Sequence, residues 1–101
     1  SVTNLALSLA RPADNRLPND AFVFGISVDG KAKAYAAESV IKKGMVEDTF
    51  AGTTLVLRYE KDIDAVRMFK KLKDGTLERV NPISGFWFSW AAAHPETELY
   101  Q

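Results

Sequence analysis

Apolar and polar residues alternate with a period of two through much of the chain, the pattern of half-buried β-strands. Phe22, Phe24 and Ile26 recur this way within residues 22–28, and Leu55, Leu57 and Tyr59 within 54–59. The first set shares one face of its strand, and the second is expected to face inward. Residues 65–71 and 76–80 read as two more strands joined at Asp74-Gly75. Residues 45–50 read as a short extended segment ending in a turn at Ala51-Gly52, and residues 60–64 as a polar connection. Leu5, Leu7 and Leu9 admit a short strand near the start. Residues 11–20 are rich in turn formers and predict a loop, which makes residues 1–21 an irregular lead.

Asp29-Gly30 marks a hairpin between residues 22–28 and the Lys31-Ala32-Lys33-Ala34-Tyr35 stretch. A two-residue loop pairs Ile26 with Lys33 and puts lysine beside the core. A three-residue loop pairs Ser27 with Lys31, Ile26 with Ala32 and Phe24 with Ala34. The second register is the expectation here, because a slip of one residue inverts every side chain.

The period lengthens in two places. Ala37, Val40 and Ile41 share one face of a short helix predicted over residues 36–43, which Gly44 stops. Ser84 is the expected N-cap of a final helix running to about Ala93, with Trp87, Trp90 and Ala91 at helical spacing. Pro95 drives His94 toward extended backbone and ends that helix. The resulting fold class is α+β. A small antiparallel β-sheet of about five or six strands carries a short helix and a C-terminal helix packed on it.

The chain's 101 residues fit one domain, and a 47% hydrophobic, 26% charged composition suits a small soluble globular unit. It opens on Ser1, as a trimmed piece or a module excised from a larger chain would. Thirteen basic residues balance thirteen acidic ones, which argues against a dedicated nucleic-acid binder. The absence of cysteine excludes disulfides, thiolate metal sites and a cysteine nucleophile. No apolar stretch approaches the ~20 residues that cross a bilayer, so no direct membrane insertion is expected from this segment.

Three stretches carry a family resemblance. The first runs from Gly25 through Val28-Asp29-Gly30 to Ala32-Lys33-Ala34-Tyr35. The second holds Asp48-Thr49, Gly52 and Leu55-Val56-Leu57-Arg58-Tyr59. The third holds Trp87, Trp90 and His94-Pro95-Glu96-Thr97. Together, in this order, they resemble the prokaryotic domain-of-unknown-function family 3179, a shortened variant of it. That family has no settled activity, so the resemblance implies architecture more than function. Its members are often predicted to be exported, which leans the localisation outward. This chain departs from the pattern at several points. Ala36 replaces a proline and Glu47 an asparagine. The family's Cys-x-x-Cys falls on Glu60 and Ile63, which removes any redox or metal role built on those thiols.

Each chemically suggestive residue has a plainer reading beside it. His94, the lone histidine, suits a base or ligand, but also a helix-end ring bonded to a backbone carbonyl. Glu47 and Asp48 are adjacent carboxylates, but strand neighbours point to opposite faces, and Asp48-Thr49 suits local backbone capping. Of Phe86, Trp87, Phe88 and Trp90, the tryptophans are the expected core and Phe88 the expected partner contact. Lys70, Lys71 and Lys73, with Arg67 and Arg58, form a basic run that reads as a solvated sheet edge.

No constellation of catalytic residues emerges, and neither a cofactor nor a catalytic residue is expected. The leading expectation is a non-catalytic accessory domain that binds a partner or ligand, its partners including other domains of a larger protein. The alternative is a small-ligand or metal site centred on His94, with Asp48 and Tyr35 beside it if the fold brings them together. Nucleic-acid binding is least favoured.

Overall fold

The computed structural model describes residues 13–101. The strand admitted by Leu5, Leu7 and Leu9 lies outside them. Eight strands and two helices follow one another: β1 (Phe22–Val28), β2 (Lys31–Ala36), α1 (Ala37–Lys43), β3 (Met45–Phe50), β4 (Thr53–Glu60), β5 (Ala65–Lys71), β6 (Leu77–Val80), β7 (Ile83–Phe86), α2 (Trp87–Ala93) and β8 (Glu98–Tyr100). A single 3-10 turn, Lys61–Ile63, joins β4 to β5. The class is α+β, with the strands divided between two four-stranded sheets. One has the order β7-β1-β2-β8 and the other β3-β4-β5-β6. All pairs are antiparallel except β2 with β8.

The two central strands of the first sheet, β1 and β2, are covered on both faces. Val23 and Ala34 pack against Trp87, Trp90 and Ala91 of α2. On the opposite face Phe24 and Tyr35 join Val46, Phe50, Leu55, Leu57 and Met68 of the second sheet, with Ala37 and Val40 of α1. The alternation along β2 sorts these environments. Ala32 and Ala34 lie on the α2 side, where small side chains leave room for indoles. Lys33 and Tyr35 point to the second sheet.

The β1–β2 register differs from expectation. Val28 pairs with Lys31 and Ile26 with Lys33, so the loop has two residues. Asp29 (φ 50°) and Gly30 (φ 77°) both sit in the left-handed region, as a type I′ turn requires, and that turn's twist matches the strands it joins. The objection to this register was a lysine beside the core. Asp48 of the second sheet answers it, because its carboxylate lies 2.7 Å from the Lys33 ammonium. Ala51 (φ 50°) and Gly52 (φ 77°) repeat the same turn between β3 and β4.

Two helical details are also corrected. Ile41 was expected on the buried face of α1 but is exposed. This short helix buries only the stripe through Ala37 and Val40, and Ile41 is turned about 100° from Val40. Ser84 does not cap α2; it lies in β7 opposite Phe24. The helix starts at Trp87 without a side-chain cap. Its first amides instead donate to main-chain carbonyls of the lead segment, Trp87 N–H to Ala21 O (2.8 Å) and Phe88 N–H to Asn19 O (3.2 Å). These bonds satisfy donors that an N-cap side chain would otherwise take.

Candidate functional site

Three places collect the residues singled out by sequence. The first surrounds α2. Trp87 and Trp90 are both buried, each contributing on the order of 3 kcal/mol of apolar burial. Trp90 lies flat on Gly25 of β1, where any Cβ would meet the indole ring. Its Nε1–H donates to Thr97 Oγ1 at 2.8 Å, and the His94 ring packs 4.0 Å from its own, centroid to centroid. Trp87 Nε1–H donates to the Asp14 carbonyl at 2.9 Å, and the Arg16 guanidinium lies 5.2 Å over the Trp87 ring. Arg16 also pairs with Asp14 (2.7 Å) and donates to the Thr97 carbonyl (2.9 Å). The lead segment and the residues after α2 thus clasp the helix from either end.

His94 also borders a shallow cleft of about 310 Å³, lined by Gly30 to Ala32 and by Ala93 to Glu98. Lys31, Glu96 and Glu98 put both signs of charge around it. No group of three or more His, Cys, Asp or Glu side chains is placed to hold a metal ion among the described residues.

The second place lies between the sheets. Tyr35 Oη donates to Asp48 Oδ2 at 2.5 Å, and Lys33 Nζ donates to the same oxygen at 2.7 Å. Burial pushes the Asp48 carboxyl up, but the bonds from Lys33 and Tyr35 outweigh it and hold the group below the ordinary carboxylate value. Burial, together with the Asp48 charge, drives the Tyr35 phenol far above its usual range. Tyr35 is therefore a permanent donor with no solvent access, and the trio braces one sheet to the other. Glu47 points to the opposite face of β3, where its carboxylate lies 3.3 Å from Lys71 Nζ. Beside the trio, Tyr100 packs on Tyr35 and accepts from Lys43 Nζ at 2.5 Å.

Asp48 and Tyr35 are thus brought together. His94 is not with them: its ring contact is with Trp90, and no contact among the described residues links it to either. Lys33, the partner that completes the trio, was not singled out by sequence. Its signal was its place two residues before Tyr35, which puts both on one face of a strand.

The third place is an aromatic ridge. Phe22, Phe86 and Phe88 are exposed by 44%, 50% and 54%. Phe86 meets Phe22 edge-on at 6.2 Å and stacks with Phe88 at 6.4 Å. The ridge rests on β7, whose Ile83, on the other face, is 65% exposed. Sequence identified Phe88. It did not identify Phe86, because the expected helix start at Ser84 hid the strand that turns Phe86 outward.

Fold and site define a small two-sheet α+β unit in which Gly25, Trp90 and Thr97 seat the tryptophan helix and Lys33, Tyr35 and Asp48 tie the sheets together. The chain belongs to the family described as protein of unknown function (DUF3179), whose model matches residues 3–76. No curated protein and no solved structure matches it. The matched range ends in the turn before β6, so the ridge residues Phe86 and Phe88 and the His94 cleft's C-terminal wall lie beyond it. Membership of this family brings no activity with it.

Proposed function

We propose that this chain is a non-catalytic accessory module that docks another protein, or another domain of a larger chain, through the Phe22–Phe86–Phe88 ridge. The observation that carries the reading is the continuity of that ridge: three half-exposed rings pack on one another at the border of a sheet. Clustered exposed aromatics mark interaction surfaces, since they offer large apolar area at low conformational cost. Two of the residues with shifted proton affinity, Asp48 and Tyr35, support the same reading. Asp48 and Tyr35 are tied, with Lys33, into a brace between the sheets.

The test is site-specific photo-crosslinking in cells, with a photoreactive phenylalanine analogue at Phe88 and, as control, at exposed Lys73. A discrete adduct from position 88 alone is expected. Equal adducts from both positions, or none, would remove the proposal.

A second reading, a small-ligand site, is favoured by the cleft beside His94 and its mixed charge. It predicts that His94 ring resonances, rather than amides of β7, move when a ligand is added.

A further inference from the structure

We infer that β7 is a docking edge that accepts an extended, uncharged segment of a partner polypeptide as a further strand. The inference rests on the ridge reading and gives the partner's conformation and chemistry.

β7 borders its sheet, and nothing among the described residues pairs with its outer side. Trp87 N–H bonds to Ala21 O. Antiparallel ladders alternate bonded and non-bonded pairs, so Gly85 and Ile83 are the residues bonded to Val23 and Gly25. The N–H and C=O groups of Ser84 and Phe86 therefore point away from β1, a donor and acceptor set spaced for another strand.

Exposed edges invite unwanted pairing, and charge on the edge is a common protection. The other three border strands carry it: Glu47 and Asp48 on β3, Glu78 and Arg79 on β6, Glu98 on β8. β7 carries none, and no Asp, Glu, Lys or Arg occurs from Val80 to Pro95. Both its faces end in exposed apolar groups, Phe86 on one and Ile83 on the other. A charged incoming strand would find no counter-charge there and would lose hydration against the rings. An uncharged segment with apolar side chains would cover Phe86 on one face and Ile83 on the other.

The test uses the full chain and a fluorescent peptide alternating leucine with threonine, with a lysine–glutamate version of the same length as control. Binding of the uncharged peptide is expected, with slowed amide exchange at Ser84 and Phe86 but not at Gly85. Ser84→Pro removes one outward N–H and leaves the bonds to β1 intact, a place where an edge strand tolerates proline. It should weaken binding roughly tenfold or more, and Phe88→Ser by several-fold. If Ser84→Pro binds normally and Phe88→Ser does not, strand addition fails while the ridge reading stands. If both variants bind like the parent, or if the parent does not bind, the inference fails, and indifference to Phe88→Ser counts against the ridge as well. Concentration-dependent dimerisation abolished by Ser84→Pro would replace the partner peptide with a second copy of this chain. Protection confined to the wild-type Ser84 and Phe86 amides supports the inference even if the proline variant does not fold.

Discussion

Gly25 and Trp90 touch so closely that a Cβ built on the glycine would lie 2.3 Å from ring atom Cζ3 of the indole. The indole is itself fixed by its bond to Thr97 and by the His94 ring beside it. A methyl group at position 25 has nowhere to go unless α2 lifts from the sheet. Gly25→Ala should therefore destabilise the fold by about 3 kcal/mol, at the upper end of overpacking costs. Denaturant midpoints would measure it, and combining the change with Trp90→Leu should cost less than the sum of the two. Full additivity would mean that the contact is not what restricts position 25.

Thr97 offers the second handle on the same indole. Thr97→Val keeps the shape and removes the acceptor, leaving a buried Trp90 N–H without a partner. A loss of about 1–3 kcal/mol is expected, whereas Thr97→Ser should recover most of the stability. Thermal unfolding of the two variants side by side gives the answer, and equal melting temperatures would count against the bond.

The inter-sheet brace predicts a pH dependence. The folded-state affinity of Asp48 for a proton is lower than in the unfolded chain, where an aspartate titrates near ~3.9. Its contribution is therefore fully present above that value and is lost as pH falls through the lower, folded value. Asp48→Asn should flatten the acid limb of the stability curve below about pH 4 and cost on the order of 2 kcal/mol at neutral pH. Tyr35→Phe should cost about 1 kcal/mol while leaving an acid limb, because Lys33 still pairs with the carboxylate. Unfolding free energies measured from neutral pH into the acid range would decide between these outcomes.

The β3–β4 turn is an opportunity for stabilisation. Ala51 holds φ 50° at the first central position of its turn, where alanine is disfavoured by roughly 1–2 kcal/mol. Asparagine tolerates that conformation, and Asn-Gly is the preferred pair for such turns. Ala51→Asn should raise stability by about 0.5–1 kcal/mol. A drop would indicate that the alanine methyl, packed against the core, matters more than the backbone.

Much of the architecture was legible because period-two alternation and Asp-Gly or Ala-Gly pairs are local signals. Strands from residue 22 to residue 71 followed from them, while the burial of Trp87 and Trp90 and the exposure of Phe88 followed from helical spacing. What failed depended on distant partners. The hairpin register was misjudged because Lys33 next to the core looks costly until Asp48 arrives from the other sheet. Ser84 looked like a cap because the carbonyls of Asn19 and Ala21, far away in sequence, could not be seen to serve α2. The candidate trio of His94, Asp48 and Tyr35 was half legible for the same reason. Asp48 and Tyr35 meet across the interface between sheets, while the histidine goes with the helix that ends before it.

Both of the chain's tryptophans belong to α2, and α2 continues from β7 without an intervening residue, Phe86 being followed directly by Trp87. The protein's entire indole emission therefore arises one step from the open sheet border. A strand added at that border would lie beside these indoles, so a change in their emission on peptide addition is expected and gives a dye-free reading of the proposed docking.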